Sequence, residues 1–184
     1  MTLRITGGIW RGRRLEAAPA SRPTQERVRE ALFSSWAPRV IGADVLDLFA
    51  GSGAVGFEAL SRGAASCGFV ESRDACVRVL VANAATLGID DASIARLELP
   101  AGLERLPAAW PRRFDLVFAD PPYGFDAYGE LVDSIAPRLE PGGEVAVEHS
   151  TRTPLGPEAG ELTIDRERRY GETALTFLRL EPAG

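Results

Sequence analysis

The sequence predicts an α/β fold in which a mostly parallel sheet ends in a C-terminal antiparallel hairpin and follows a small N-terminal extension. From Ala43 onward, apolar runs of strand length alternate with segments of helical periodicity, which is typical of a parallel sheet covered on both faces. The alternation stops where two strand-like segments, 161–170 and 173–180, are joined by Gly171-Glu172. Glycine at the first turn position suits a type II′ hairpin.

The N-terminal extension comes before this alternation. Residues 4–15 mix β-forming residues, glycine and arginine, and they predict an arm or hairpin. A helix is then predicted, with Thr24 as its N-cap and Pro38 ending it. Its apolar residues at helical spacing are Val28, Ala31, Leu32 and Trp36.

The remaining elements follow in order along the chain. Strands are predicted at 45–49, 67–70, 93–99, 114–119 and 144–147. Helices are predicted at 54–62, 74–87 and 127–136. Ser72 is the candidate cap of the second of these helices, and Gly88 its C-terminal end.

The length and the charge distribution divide the chain into two parts. The 184 residues suit one domain of ordinary size, 40–184, preceded by the extension 1–39. The net charge of −5 argues at first against a polyanionic partner. However, residues 1–39 contain eight Arg and three Glu, whereas residues 40–184 contain thirteen Arg and twenty-three acids. The extension is therefore basic, with a net charge of +5, and can contact phosphate.

Several classes of protein are excluded by composition. No apolar run approaches the roughly 20 residues that span a bilayer, so we expect no membrane association. The N-terminus lacks a signal-peptide pattern, so we expect a cytoplasmic protein. Cys67 and Cys76 are interpreted as small core residues. His149 is the only histidine, which disfavours multi-histidine metal sites, and we expect no metal cofactor. At the end of a strand, His149 is expected to be solvated.

A glycine-rich loop follows the first predicted strand. Gly51, Gly53 and Gly56 match G-x-G-x-x-G, and Glu71 ends the next strand, where an acid can accept hydrogen bonds from ribose hydroxyls. Asp47 lies four residues before Gly51 and would repel a pyrophosphate. It suits the cationic amino-acid end of S-adenosylmethionine, which favours that cofactor over a nicotinamide dinucleotide.

A second motif, Asp120-Pro121-Pro122-Tyr123, follows the strongest later strand. Ligands in such sheets bind at the carboxyl ends of strands, so this turn should lie beside the glycine loop. Prolines lack N–H donors, so the turn presents acceptors, and Asp120 with a backbone carbonyl can hold an exocyclic amine for attack on a sulfonium methyl. Tyr123 can stack on a base removed from its helix.

Six segments form a specific combination: Arg4 to Gly8, Arg22 to Phe33, Asp47 to Gly53, Glu58 to Ala64, Asp120 to Tyr123 and Tyr170 to Thr173. Together they resemble the RsmD family of bacterial 16S rRNA guanine-N2 methyltransferases. The resemblance implies a class I, Rossmann-like methyltransferase sheet that uses S-adenosylmethionine and yields S-adenosylhomocysteine. It implies 16S rRNA as partner, within the small ribosomal subunit or an assembly intermediate. We expect a monomer.

The same resemblance implies roles for particular residues. Asp47, Gly51 and Gly53 would hold the methionine part, Glu71 the ribose, and the motif 120–123 the target base. The full set of expected cofactor residues is Asp47, Phe49, Ala50, Gly51, Ser52, Gly53, Glu71, Ser72, Glu98 and Leu99. The sequence departs from the family at the adenine, where Asp or Asn is usual; either Glu98 substitutes or the backbone alone holds the adenine.

Recognition of RNA is expected from the basic extension, because the predicted sheet uses the rest of the chain. The candidate contacts are Arg4, Trp10, Arg11, Arg13, Arg14, Arg22, Arg27 and Arg29. About a third of these arginines are expected to form intramolecular pairs, and Trp10 can pack on the sheet instead of stacking on RNA. Two alternatives stay open: methylation of adenine N6 or another planar amine, and a nicotinamide-dependent oxidoreductase or nucleotide-binding module.

Overall fold

A computed structural model describes residues 3–19, 25–90, 93–153, 155–156 and 160–180. Thr24, the predicted N-cap, and Arg22, a candidate RNA contact, lie outside the described residues. Among the helices of the described part, none has the length and apolar character needed to cross a membrane.

The chain forms nine strands and four α-helices within these ranges. The strands are β1 (Leu3–Arg4), β2 (Arg14–Leu15), β3 (Asp44–Leu48), β4 (Ser66–Glu71), β5 (Ile94–Arg96), β6 (Phe114–Ala119), β7 (Leu139–Ser150), β8 (Leu162–Tyr170) and β9 (Thr173–Leu180). The helices are α1 (Gln25–Trp36), α2 (Ala54–Ser61), α3 (Asp74–Leu87) and α4 (Tyr128–Ile135), with 3-10 turns at Ala101–Arg105 and Ala136–Arg138.

Seven strands build the main sheet in the order β5-β4-β3-β6-β7-β9-β8. All neighbours from β5 to β7 are parallel, and β9 is antiparallel to both β7 and β8. The predicted α/β class with a C-terminal hairpin is therefore confirmed. Gly171 has φ +65° and no positive φ is found at Glu172, in agreement with a type II′ turn.

Some element boundaries differ from the predictions. The bounds of α3 and β6 are as predicted, and Gly88 ends α3 with φ +75°. The predicted strand 144–147 is much longer, since β7 spans Leu139–Ser150. Leu139 pairs with Phe114 of β6, residues 148–150 pair with β9, and the pairing register with β6 shifts between Leu139 and Glu144.

Two apolar clusters cover the two faces of the sheet. The first contains buried residues of α1, α2 and α3 and defines what we call the α1 face. The second contains those of α4 and defines the α4 face. Cys67 and Cys76 are buried free thiols, as predicted.

The N-terminal extension is fastened to the domain through Glu58 of α2. This carboxylate is fully buried and accepts hydrogen bonds from Arg29 at 2.8 Å and Arg62 at 2.7 Å. It also accepts the hydroxyl and, at 3.3 Å, the N–H of Thr6. Ile5 beside it is 2% exposed, so the arm contributes to the same core. A buried charge requires such partners, and Glu58 therefore joins the arm, α1 and α2.

A second buried carboxylate, Glu144, anchors the other end of α1. It lies on β7 and accepts hydrogen bonds from Trp36, Arg39, Arg166 and Arg179 at 2.9–3.1 Å. These donors come from α1, the residues after it, β8 and β9. Helix α1 is thereby held against the C-terminal hairpin.

Candidate active site

The candidate site lies where the direction of strand order reverses. Strand β3 has β4 on one side and β6 on the other, and the helices after β3 and β6 cover opposite faces. Such a switch point leaves a crevice at the carboxyl ends of the strands. The glycine loop follows β3 and Asp120 follows β6, so the two predicted motifs open into the same crevice.

The loop after β3 has a backbone that requires its glycines. Gly51 and Gly53 have φ +57° and +79°, and Phe49 has φ +57°, a conformation that costs a side chain energy. A Cβ on Gly53 would collide with Leu80 and Phe57, whereas a Cβ on Gly51 would meet no atom closer than 3.9 Å. Gly53 therefore serves packing against α3, and Gly51 leaves space at the open side of the loop.

Asp47 is one of two buried acids of the site. Its side chain on β3 is 2% exposed and accepts the N–H of Gly56 in α2 at 2.9 Å. Burial raises the pKa of Asp47 to about 8; the bond from Gly56 lowers the pKa, and the charges of Asp120 and Glu71 raise it further. A cationic group in the crevice would stabilise the charged form of Asp47.

Glu71, at the end of β4, binds the glycine loop. It is 3% exposed and accepts the N–H of Gly51 at 2.9 Å. It also accepts the N–H groups of Ser72 and Arg73, each at 2.9 Å. The prediction that Ser72 caps α3 is wrong: the N-cap is Arg73, which makes no side-chain cap bond. The carboxylate of Glu71, and not a serine side chain, accepts the N–H groups just before the helix.

Strand register places three acids at one level of the sheet. Glu71 ends β4, Asp120 follows β6, and Glu148 lies two residues before the end of β7. The residues directly before these acids are Val70, Ala119 and Val147. Leu48 of β3 pairs with both Val70 and Ala119, and Ala119 pairs with Val147. Neighbouring strands are about 4.8 Å apart, so Asp120 is about 5 Å from Glu148 and about 10 Å from Glu71 between Cα positions.

The motif after β6 forms a turn that projects from the sheet. Pro121 is buried, Pro122 is exposed, and the C=O of Pro122 accepts the N–H of Phe125 at 3.0 Å. Tyr123 at the tip of the turn is 83% exposed. This turn is rigid because its prolines restrict φ, and it leaves the Tyr123 ring exposed to solvent.

Phe125 and Tyr128, which the sequence reasoning missed, form an aromatic wall beside the turn together with Phe49. The rings of Phe49 and Phe125 are 5.5 Å apart, and those of Phe125 and Tyr128 are 5.1 Å apart, all in edge-to-face geometry. Burial raises the pKa of Tyr128, and the charges of Asp120 and Glu148 raise it further. The signal in the sequence was the pair of aromatic residues directly after the Asp-Pro-Pro-Tyr turn.

His149 is buried, which corrects the expectation of a solvated residue. It is 5% exposed because β7 continues past it and pairs with β9. Its Nε2 is 2.8 Å from Oγ1 of Thr176, and its Nδ1 is 3.0 Å from the C=O of Ser150. Facing a carbonyl oxygen, Nδ1 must carry a proton.

Asn83 of α3 is a second residue that the sequence reasoning missed. Its amide donates to the C=O of Ser52 in the glycine loop and to the C=O of Glu16, each at 2.9 Å. Its Oδ1 accepts the N–H of Glu16 at 2.8 Å. Asn83 thus fastens the segment after β2 to the cofactor loop, a contact between residues too distant in the chain for a local pattern to indicate.

The predicted RNA contacts divide into three groups. Arg29 is 3% exposed and forms an ion pair with Glu58, so the prediction that it contacts RNA is wrong. Arg29 is one of the arginines that form intramolecular pairs, as expected for about a third of them. Trp10 is half-buried and packs on the core of the α1 face, in line with the packing alternative. The side chains that remain exposed among the described residues are Arg4, Arg11, Arg13, Arg14 and Arg27.

The exposed arginines are spread over the domain. Arg13 donates to the C=O of Thr86, near the C-terminal end of α3. Thr86 lies about one turn beyond Asn83, which bonds the glycine loop, so Arg13 lies on the α3 side of that loop. Arg27 instead lines a cavity of about 320 Å³ with Arg169, Tyr170 and Gly171, at the hairpin turn on the crevice side of the sheet.

Glu98 and Leu99 follow β5 at the same edge. Glu98 is exposed and its C=O accepts the N–H of Gly102 at 2.7 Å, while Leu99 is half-buried. Both alternatives for the adenine, a Glu98 side chain and backbone contact, stay predictions. Among the described residues there is no group of three His, Cys, Asp or Glu side chains arranged to hold a metal ion.

Comparisons with known proteins agree with this geometry. A family model described as Conserved hypothetical protein 95 matches residues 3–179. Ribosomal RNA small subunit methyltransferase D of Escherichia coli K12 is 35% identical over 190 residues, covering 99% of this chain and 92% of the relative. The structure of the Escherichia coli protein yhhF has a TM-score of 0.84 at 32% identity, with 100% of both chains covered.

A more distant structure contains bound ligands. The Thermus thermophilus 16S rRNA N2 methyltransferase RsmC, solved with AdoMet and guanosine, has a TM-score of 0.73 at 24% identity. The match covers 100% of this chain and 50% of RsmC. At this identity the likeness shows a shared fold.

Proposed function

Because the chain belongs to the ribosomal RNA small subunit methyltransferase D family, we propose that it transfers the methyl group of S-adenosylmethionine to the exocyclic N2 of a guanine in 16S rRNA. Its fold is the class I methyltransferase fold, as the sequence predicted. The observation that carries the proposal is the placement of Glu71, the glycine loop and Asp120 at one level of the switch-point crevice.

The residues of the crevice fit S-adenosylmethionine. Asp47 is a buried acid whose raised pKa makes a cationic partner favourable. A Cβ on Gly51 would meet no atom closer than 3.9 Å, so the loop leaves space there. Glu71 is held at the end of β4 by the N–H of Gly51 and would accept hydrogen bonds from the ribose hydroxyls. When bound, S-adenosylmethionine supplies an electrophilic methyl group on a sulfonium centre.

Asp120 and the turn after it would position the amine. An exocyclic amine is a poor nucleophile because its lone pair is delocalised into the ring. Hydrogen bonds to Asp120 and the C=O of Pro121 would hold it in a pyramidal form, and Tyr123 would stack on the base. The amine's lone pair forms the C–N bond, the S–C bonding pair stays on sulfur, and an N–H proton leaves to water or to Asp120.

The RNA is proposed to lie along the exposed arginines. Arg27 and the cavity beside Tyr170 lie at the turn between β8 and β9, whereas Arg13 contacts α3, which connects β4 and β5 at the other end of the sheet. Contacts so far apart suit a large, shaped substrate, the small ribosomal subunit or an assembly intermediate, met in the cytoplasm by a monomer. The extension 1–39 thus acts as the recognition element of the domain 40–184.

The direct test is transfer of labelled methyl to small-subunit particles that lack the modification, compared with naked rRNA, followed by nucleoside analysis. We expect N2-methylguanosine, with particles preferred over naked rRNA. A product of N6-methyladenosine would contradict the proposal and favour the adenine alternative.

Asp120→Ala tests the role of the turn. The variant should lose transfer by at least about 10²-fold while binding S-adenosylmethionine nearly as the wild type does, measured by calorimetry, because Asp120 positions the amine and not the cofactor. Asp126→Ala, an exposed acid six residues further on, is the matched control and should keep its activity. Undiminished turnover by Asp120→Ala would refute this mechanism.

A further inference from the structure

Glu148 occupies a position beside the amine-binding turn that the proposed mechanism does not use. It is half-buried on β7, and the pairing of Val147 with Ala119 places it next to Asp120, about 5 Å away between Cα positions. It is the residue of β7 that reaches the carboxyl edge at the level of the reacting group.

The side chain of Glu148 points to the α1 face. In an antiparallel pair, opposed residues lie on the same face, and Glu148 is opposed to Leu175, which belongs to the core cluster of that face. Two residues before Asp120, Phe118 belongs to the same cluster. Asp120 comes directly after β6 and interacts electrostatically with Asp47, whose side chain contacts α2 on that face, so both carboxylates border the same part of the crevice.

Two neighbouring carboxylates on one face match the chemistry of one base. Guanine has two adjacent donors on its Watson–Crick edge, the N2 amine and N1–H. Adenine has an amine beside an N1 lone pair, which a carboxylate repels. A site in which a hydrogen-bond acceptor of the protein faces an acceptor of the ligand discriminates strongly against that ligand. The Asp120 turn alone grips an amine and cannot distinguish these bases.

We propose that Glu148 accepts the N1–H of the target guanine while Asp120 holds its N2 amine, and that Glu148 thereby selects guanine over adenine. The inference rests on the proposed function and names the residue that sets its base specificity. Glu148 acts by direct contact with the substrate base, and the cofactor residues Asp47 and Glu71 have no part in this choice.

The test compares guanine with 2-aminopurine at the methylated position of reconstituted small-subunit particles. 2-Aminopurine keeps the exocyclic N2 amine but has a lone pair at N1. For the wild type, kcat/KM with 2-aminopurine should be lower by about 10²-fold or more. Glu148→Gln can either accept from N1–H or donate to the N1 lone pair, so it should reduce this preference at least tenfold.

The preference is the ratio of kcat/KM for guanine to kcat/KM for 2-aminopurine, measured with the same variant. A loss of folded protein lowers both values equally and leaves the ratio unchanged. Glu140→Gln, an exposed residue on the same strand, is the control and should keep the wild-type ratio. 2-Aminopurine also lacks the O6 atom of guanine. The Gln substitution changes only the group facing N1, so a change in the ratio reports the contact with N1 and not the loss of O6. Equal turnover of both bases by the wild type, or an unchanged ratio in Glu148→Gln, would overturn the inference alone. No transfer to guanine by the wild type would overturn the proposed function and this inference with it.

Discussion

Replacement of Asp47 by Asn should make the unliganded protein more stable at neutral pH while weakening cofactor binding. Burial raises the pKa of Asp47 from 3.8 to about 8, so the folded protein retains a proton that the unfolded chain releases above about pH 4. The free energy of unfolding therefore decreases as the pH rises from about 4 to about 8, and it is not lowered further by this group above that range. The amide introduced by Asp47→Asn would carry no charge, and its oxygen can still accept the N–H of Gly56.

The size of this stability difference follows from the shift in the pKa of Asp47. One pKa unit corresponds to about 1.4 kcal/mol, so a rise of about 4 units amounts to a cost on the order of 5 kcal/mol at pH 8 and above. Between pH 5 and pH 8, the stability of the wild type relative to Asp47→Asn should fall by about 4 kcal/mol. A cationic ligand would offset this cost in the wild type, and the variant would lose that favourable interaction.

The assay is urea unfolding of both proteins at pH 5, 6.5 and 8, together with calorimetric titration of S-adenosylmethionine. We expect the two stability profiles to diverge with pH and the affinity of the variant to drop at least tenfold. Parallel pH profiles would show that burying the Asp47 carboxyl does not lower the stability of the protein. Unchanged affinity for S-adenosylmethionine would show that this acid has no role in binding the cofactor.

Two neighbouring arginines of α1 should behave oppositely. Arg29→Ala leaves Glu58 buried without a main partner and should lower the free energy of unfolding by about 3–5 kcal/mol in denaturant titrations. Arg27→Ala should leave stability unchanged, weaken RNA binding and reduce the slope of log K against log salt by about 1 in filter-binding assays; the reverse pattern would contradict these assignments. Gly56→Ala should cost about 1–3 kcal/mol, because its Cβ would collide with the ring of Phe69, and it should also weaken cofactor binding by displacing the donor to Asp47. Equal stability of Gly56→Ala and wild type would show that the helix can shift freely.

Local patterns predicted most of the elements and failed where distant parts of the chain meet. Helix α3 was found with its predicted bounds because its apolar spacing and the glycine after it are local signals. The length of β7 was underestimated because its two ends depend on distant partners: Leu139 pairs with Phe114 of β6, and residues 148–150 pair with β9. His149 was misjudged for the same reason.

Local signals were sufficient to predict the fold class, the glycine loop and the Asp-Pro-Pro-Tyr turn, and they indicated that both motifs lie at carboxyl ends of strands. These features depend on residues close together in the chain, whose spacing reports their conformation directly. Which charges are buried and which border the crevice depends instead on contacts in the folded chain. Arg29 meets Glu58, and Glu148 comes level with Asp120, through contacts between separate elements whose register no local pattern contains. Burial then determines function, since a charge removed from water must find a partner within the protein, whereas one at the crevice can face a ligand.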